Sequence, residues 1–226
     1  MSIFRGWLCA AVAVLAIGAA HRAEAVPQLQ LSISDGVNPT VLLIDTLGVG
    51  SLIHVGAIGD WTFNVTAGVG YPVTGTLDSP LIDLNSINVS NTAGGTLTMM
   101  LTEIGLTSTE PSGLFTAAIG GTVSVNPGTQ LSYMAYTDST NVAFGTESVI
   151  GNAVFGGGAF AYSNTAVGQT GALYSITQVV TLTALAGPTS TNISFNGELR
   201  SVPEPASMML LGAGLIALSI ASRRKA

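Results

Sequence analysis

Carboxylates are the side chains with catalytic potential that this sequence offers in closely spaced pairs. Asp78 and Asp83 bracket a Ser-Pro-Leu-Ile segment, and Glu103 and Glu110 bracket a stretch rich in Thr and Ser. Two carboxylates about 5–10 Å apart suffice for glycoside hydrolysis, one as the acid and the other as the base or nucleophile. Nothing in the spacing brings either pair to that distance, and solvated loop acids are the simpler interpretation.

Other catalytic chemistries are poorly supplied with residues. His54 is the only histidine between residues 26 and 201, and it lies in a strand-like Leu-Ile-His-Val run without a G-x-S-x-G elbow. A Ser or Cys triad needs a positioned base, so a satisfied strand histidine is the better interpretation. One histidine also falls short of the three or four ligands of a zinc site. The sequence therefore predicts no catalytic residue and no cofactor.

Calcium is the one metal that the loop residues could serve. Asp35 with Asn38, and Asp83 with Asn85, offer the carboxylate and amide oxygens that this ion prefers. Neither loop contains enough ligands within a contiguous stretch, so no metal site is predicted.

The clearest functional pattern is a three-part C-terminal segment. It begins with a short stalk, Val202-Pro203-Glu204-Pro205-Ala206-Ser207, in which two prolines hold the glutamate on extended backbone. The 17 positions from Ala206 to Ser222 carry no charge, and as a helix they would reach about 25 Å, the short end for a bilayer. The predicted transmembrane helix covers residues 208–222, and the basic tail Arg223-Arg224-Lys225-Ala226 marks the cytoplasmic end.

This segment resembles the PEP-CTERM sorting signal, which exosortases recognise in Gram-negative, exopolysaccharide-producing bacteria. The shared features are the Pro203-Glu204-Pro205 triplet, a Gly-rich apolar run and the terminal Arg223-Arg224-Lys225, and they cover residues 202–226 only. The resemblance implies an exosortase as partner, a transient inner-membrane stage and a final location at the cell surface or outside the cell with exopolysaccharide. A plain tail anchor with a Pro-Glu-Pro linker is the alternative.

The N-terminus carries the features of an export signal. Arg5 precedes an apolar run from Trp7 to Ala20, and Ala23-Glu24-Ala25 fits an A-x-A cleavage site, so the mature chain is expected to begin at Val26. The predicted organisation is a signal peptide over residues 1–25, an extracellular domain over 26–201 and the sorting signal over 202–226. Cys9, the only cysteine, would leave with the signal peptide, so disulfides are not expected.

Residues 26–201 are acidic and long enough for one domain. They hold ten carboxylates against one cation, Arg200, for a net charge of −9. Binding to nucleic acid needs clustered Lys and Arg, so the composition excludes that class of partner. It also argues against docking of the domain on anionic lipid.

Alternation of apolar and polar residues dominates this domain. Residues 29–34, 61–66 and 97–102 follow it closely, Gly, Pro, Asn and Asp separate the runs, and no capped amphipathic helix precedes residue 206. The pattern predicts an all-β fold, an antiparallel β-sandwich that could be jelly-roll-like, followed by the C-terminal transmembrane helix. The Gly-rich stretch from Phe155 to Gly171 is either a mobile loop or a weakly specified edge strand.

These features predict an exported, non-enzymatic surface or matrix protein that an exosortase processes. A carbohydrate-binding module is the alternative, with a sandwich face or the tyrosines Tyr71, Tyr136 and Tyr162 contacting exopolysaccharide, while Trp61 is expected in the core. A polysaccharide hydrolase or lyase that uses an acid pair is a third, weaker hypothesis.

Overall fold

The chain folds into twelve β-strands in a computed structural model that describes residues 26–187 and 190–203. The predicted transmembrane helix at 208–222 lies outside the described residues, and within them no helix is long and apolar enough to cross a membrane. The strands are β1 (Gln28–Ser34), β2 (Val41–Ile44), β3 (Ser51–Ile58), β4 (Trp61–Val69), β5 (Leu81–Asn91), β6 (Gly95–Thr107), β7 (Ser112–Val123), β8 (Gln130–Asp138), β9 (Ser148–Phe155), β10 (Gly158–Gln169), β11 (Leu173–Ala184) and β12 (Thr191–Ser201).

The strands form two six-stranded sheets, ordered β2-β1-β6-β11-β8-β9 and β10-β7-β12-β5-β4-β3. Every pairing between these strands is antiparallel. Of the connections that cross from one sheet to the other, β2 to β3 and β9 to β10 join edge strands of the two sheets, so each of these pairs lies at one side of the molecule. This confirms the predicted all-β, antiparallel architecture.

The core lies between the sheets and uses the alternating apolar residues. The predicted runs supply Leu29, Leu31 and Ile33 from β1 and Leu97, Met99 and Leu101 from β6, each at most 1% exposed. Trp61 and Phe63 of β4, both 2% exposed, enter the same cluster, as the alternation predicts. Burial of one face of each sheet is what fixes the register of these strands, because a slip by one residue would turn every apolar side chain outward.

The Gly-rich stretch after Phe155 is an edge strand rather than a loop. Strand β10 pairs with β7 along its whole length, from Gly158 opposite Val123 to Gln169 opposite Ser112. Side chains then connect β10 to β9 of the other sheet: the amide of Asn164 donates to the carbonyl of Ile150 at 2.7 Å, and the hydroxyl of Tyr162 accepts from the backbone of Asn152 at 3.1 Å. This side of the sandwich is therefore closed by side-chain hydrogen bonds between two edge strands.

A buried amide joins the two sheets through the core. Gln178 of β11 is fully buried; its Nε2 donates to the carbonyl of Ile82 in β5 at 3.0 Å, and its Oε1 accepts from the hydroxyl of Tyr133 in β8 at 3.1 Å. Gly197 of β12 leaves the space for this amide, because a Cβ there would lie 2.9 Å from the Gln178 oxygen. A buried amide must keep its partners, so it favours one alignment of the sheets.

Two neighbouring glycines of β7 provide a matched test of packing between strands. A Cβ at Gly121 would overlap the carbonyl oxygen of Ser194 and lie 2.8 Å from the Cα of Phe195, whereas a Cβ at Gly120 would meet only the carbonyl of Phe160, at 3.6 Å. We expect Gly121→Ala to reduce the free energy of unfolding by at least about 2 kcal/mol, and Gly120→Ala to change it by less than about 1 kcal/mol. Urea unfolding followed by Trp61 fluorescence measures both, and equal effects would contradict the packing described here.

Candidate functional site

The C-terminal stalk leaves the domain from a central strand. Strand β12 lies between β7 and β5, and its last residue, Ser201, pairs with Phe115. The backbone N–H of Ser201 donates to the carbonyl of Pro80 at 3.0 Å, and that of Val202 donates to the carbonyl of Leu114 at 2.7 Å. Pro203 is exposed and has no N–H to donate, so the folded domain holds the chain up to Val202.

The other residues of the predicted signals fall mostly outside the described part of the chain. Residues 204–226, which include Glu204 and the cations Arg223, Arg224 and Lys225, lie there, as do Ala23 and Ala25 of the expected cleavage site. Val26, the expected first residue of the mature chain, is described and is 79% exposed.

A cleft of about 830 Å³ lies where the chain leaves the sandwich. Its walls are the start of β7, the loop between β6 and β7, the loop between β10 and β11, and residues 201–203. Tyr174 of β11 lines it with only 2% of its surface exposed, and the ring packs edge-on against Phe115 with centroids 6.1 Å apart. Asp78 and Glu110, both exposed, contribute carboxylates to the cleft.

Hydrogen bonds connect the two loops that border this cleft. The Thr170 hydroxyl donates to the carbonyl of Glu110 at 2.6 Å, and the Thr170 N–H donates to the carbonyl of Pro111 at 2.9 Å. Ser108 closes the other loop on itself, donating to the carbonyl of Glu110 at 2.9 Å and accepting from its N–H at 3.1 Å. These hydrogen bonds within the protein thus hold the two loops together.

A shallower groove of about 410 Å³ crosses the outer face of the second sheet. Its polar lining consists of hydroxyls and amides from four neighbouring strands, Thr62, Asn88, Ser90, Thr122, Asn192 and Ser194, with no ionisable side chain. These residues are the outward-facing positions of strands whose alternate positions fill the core. The groove is therefore a neutral polar surface.

Glu103 is a buried acid that sequence reasoning placed in a surface pair. It follows Leu97, Met99 and Leu101 in the inward phase of β6, is fully buried, and accepts a hydrogen bond from the N–H of Tyr71 at 2.8 Å. Its Oε2 has no hydrogen-bond partner among the described residues. Burial raises the pKa of Glu103 to about 8, against the lowering effect of the Tyr71 hydrogen bond, so the carboxyl is protonated at neutral pH.

Asp45 places a further charge near Glu103. In Asp45 the hydrogen bonds outweigh the effect of burial on the pKa, whereas in Glu103 burial outweighs the hydrogen bond. Burial alone would raise the pKa of Asp45, but backbone N–H groups of the following loop lower it below its usual value. The Gly50 N–H donates to this carboxylate at 2.6 Å and the Leu47 N–H at 3.2 Å. Asp45 therefore stays ionised and caps its own loop.

The structure does not assemble the acid pairs that the spacing suggested. Asp78 lies at the exit cleft, whereas Asp83 lies on β5 directly opposite Glu198 of β12. Burial, together with the charge of Glu198, raises the pKa of Asp83. Glu103 is in the core and Glu110 in an exposed loop. Register across β5 and β12 thus brings together acids that are far apart in sequence.

Three other residues singled out in the sequence have structural roles. In the turn after β1, the Asn38 amide donates to the Asp35 carboxylate at 2.6 Å and its backbone N–H donates at 2.7 Å, so this pair caps a turn. His54 lies in β3, edge-on to Phe63 at 5.3 Å, but its Nε2 is enclosed without a partner in the described region, so it is not a fully satisfied histidine. Within residues 26–187 and 190–203, no group of three His, Cys, Asp or Glu side chains lies close enough together to hold a metal ion.

Of the three tyrosines proposed as exposed contacts, two are partly exposed and one is buried. Tyr71 and Tyr162 are partly exposed. Tyr136 is only 9% exposed, with its hydroxyl against the Met134 sulfur at 2.9 Å, so that prediction is wrong. Sequence reasoning passed over Tyr174, although its place at the start of an apolar β11 was a signal of an inward-facing ring.

The fold and the C-terminal segment define a β-sandwich domain that leads directly into a sorting signal. Residues 201–225 match the family model of the PEP-CTERM protein-sorting motif, which confirms the resemblance found in the sequence. The match covers this segment and not the sandwich. No curated protein is significantly similar to the chain in sequence.

Solved structures share only a distant likeness with the sandwich. The enzymatically active domain of bacteriophage CBA120 tailspike protein 4 is 16% identical over 65% of this chain and 20% of its own, with a TM-score of 0.34. The K1 cleaved adhesin domain of Lys-gingipain from Porphyromonas gingivalis W83 is 14% identical over 68% and 98%, with a TM-score of 0.31. The mannan-recognising module TmCBM27 is 12% identical over 67% and 98%, with a TM-score of 0.24. Likenesses this distant do not bear on function.

The buried carboxyl of Glu103 gives a prediction for the pH dependence of stability. The unfolded chain releases this proton near the ordinary pKa of 4.5, whereas the folded chain keeps it up to about pH 8. Between these values the folded state binds more protons, so the stability it contributes is complete below pH 4.5 and is lost as pH rises to 8. We expect a loss of about 3–5 kcal/mol from this group over that window, measured by urea unfolding at each pH.

Glu103→Gln should remove most of this slope, because the amide does not titrate. Glu110→Gln, the same change in an exposed loop, is the matched control and should leave the slope unchanged. Equal slopes in wild type and Glu103→Gln would show that this carboxyl is not held protonated.

Proposed function

We propose that this chain is an exported surface protein that its C-terminal signal delivers to an exosortase. The signal holds the protein in the inner membrane through residues 208–222, and cleavage near Pro203-Glu204-Pro205 then releases the domain to the cell surface or the medium, in contact with exopolysaccharide. The observation that carries the proposal is the match of residues 201–225 to the PEP-CTERM protein-sorting motif. Support from the fold comes from the exit of the chain, which leaves an exposed Pro203 immediately after the last backbone hydrogen bond.

The domain itself is proposed to be non-enzymatic. Of the acids that could have formed a hydrolytic pair, Glu103 is enclosed in the core and Asp83 lies opposite Glu198 on the outer face of a sheet. A hydrolase or lyase remains the weaker hypothesis. The exit cleft does bring two carboxylates to its rim, Asp78 and Glu110, but both are exposed and the hydrogen bond from the Thr76 hydroxyl lowers the pKa of Asp78, whereas the acid of a hydrolytic pair needs a raised pKa.

Carbohydrate binding is the second candidate function for the domain. It is supported by two concave surfaces, the exit cleft, which is lined by several hydroxyls, and the outer-face groove, which is lined by hydroxyls and amides. Such groups exchange hydrogen bonds with sugar hydroxyls, and the large negative charge of the domain favours a neutral glycan. Retention of the full chain in affinity gels that contain host exopolysaccharide tests it.

Replacement of the signal carboxylate tests sorting directly. We expect Glu204→Ala, expressed in the native host, to remain in the membrane with its C-terminus intact, because the recognition charge is gone. Intact-mass analysis of membrane and medium fractions measures this. Glu110→Ala removes an exposed acid from a loop and should be processed like wild type; unchanged mass and release of Glu204→Ala would contradict the sorting proposal.

The short exit from β12 predicts that distance limits processing. Val202 is hydrogen-bonded to Leu114, so few residues separate the folded domain from the Pro203-Glu204-Pro205 triplet. The domain would therefore hinder the approach of a membrane enzyme to that triplet. Four Gly/Ser residues inserted between Ser201 and Val202 would move the stalk out by about 13 Å when extended, and pulse–chase labelling should show faster conversion. The same insertion between Gly156 and Gly157 should leave the rate unchanged. A slower rate for the Ser201–Val202 insertion would contradict this view.

A further inference from the structure

The exit cleft holds a nearly buried hydroxyl group that forms no hydrogen bond with the described part of the chain. Tyr174 is only 2% exposed, and its ring rests edge-on against Phe115. Within the described residues its hydroxyl makes no hydrogen bond. The hydroxyl is also not fully enclosed, so it opens onto the cleft that Tyr174 lines. A buried hydroxyl of this kind is costly unless water or a ligand pairs with it.

The charge of the cleft restricts the ligand. Asp78 and Glu110 place two carboxylates at its rim, and Arg200, the only cation between residues 26 and 203, pairs with Glu198 at 3.2 Å. Among the described residues, no cation lines the cleft to neutralise an anion.

The remaining lining has both polar and apolar parts. Hydroxyls come from Ser108, Thr109 and Ser112, while Leu114 and Leu173 are 43% and 37% exposed. Hydroxyls and carboxylates accept hydrogen bonds from a polyhydroxylated ligand, and apolar side chains pack against the C–H faces of its rings. A volume of about 830 Å³ lies in the range of small-molecule sites.

We propose that the exit cleft is a binding site for a short stretch of neutral glycan, with the Tyr174 hydroxyl as the buried polar contact and Asp78 and Glu110 as rim acceptors. This inference rests on the second candidate function and assigns it a location and a ligand class. It also places the glycan against Val202 and Pro203, the first residues of the sorting signal.

Calorimetry with defined oligosaccharides tests the site. The full chain is kept in a zwitterionic detergent without a sugar headgroup and titrated with maltotetraose, cellotetraose, mannotetraose and xylotetraose, and with tetragalacturonate as the anionic probe. We expect at least one neutral probe to bind and the anionic probe not to bind. Tyr174→Phe, which removes only the hydroxyl, should weaken binding about 10-fold.

Two pairs of matched variants locate the ligand. Tyr136→Phe removes a tyrosine hydroxyl outside the cleft and should bind like wild type. Ala172→Trp fills the cleft from an exposed loop position and should abolish binding, whereas Thr122→Trp fills the outer-face groove and should not. Asp78→Asn with Glu110→Gln should weaken binding of the neutral probe, because both rim carboxylates are lost as acceptors.

Each contrary result has a distinct meaning. Loss of binding in Thr122→Trp but not in Ala172→Trp would move the glycan to the outer-face groove, which overturns this site and leaves carbohydrate binding intact. Failure of every neutral probe to bind wild type would overturn the site and weaken the second candidate function. Export and cleavage are measured independently of glycan binding, because Tyr174→Phe and Ala172→Trp should be exported and cleaved like wild type.

Discussion

The hydrogen bonds that hold β12 between β7 and β5 constrain both the fold and the C-terminal segment. From Thr191 onward this strand has antiparallel partners, on β5 up to Arg200 and on β7 up to Ser201. Its inward side chains, Ile193, Phe195 and Leu199, are at most 2% exposed. The strand therefore cannot peel away without opening the core. Since the sorting signal follows the same strand, the folded domain fixes the point from which the signal leaves.

The polar groups inside the sandwich illustrate two ways of tolerating burial. Gln178 has a partner for each end of its amide, and those partners belong to both sheets, so it adds alignment to a nonspecific apolar core. Glu103 accepts one hydrogen bond, from Tyr71, its other oxygen has no partner among the described residues, and it remains in the core by keeping its proton. The contribution of this carboxyl to the stability of the core is therefore larger in mildly acidic than in alkaline surroundings.

Sequence periodicity predicted the strands well and the polar neighbourhoods poorly, for a physical reason. Alternation is a local property, so Leu97, Met99 and Leu101 identify β6 and its inward face without knowledge of the partner strands. The same phase includes Glu103, but the usual preference of acids for solvent suggested a loop. Contacts such as Asp83 with Glu198 depend on which strands become neighbours and in which register, and that follows from packing of the whole domain. The sorting signal could be predicted because it is contiguous, whereas the exit cleft is built from four separate segments and could not.

The signal and the cleft share one rim of the domain, and this affects when each can act. Val202 and Pro203 form part of the cleft wall, and the chain beyond them leads to the predicted membrane segment. If that segment enters the bilayer before cleavage, as proposed, only a few residues would separate the rim from the membrane, which would leave little room for a polysaccharide. Cleavage beyond Pro203 would remove this obstruction and keep the wall itself intact. On the two proposals together, the domain would first bind glycan where it is released, outside the cell, and not during its passage through the membrane.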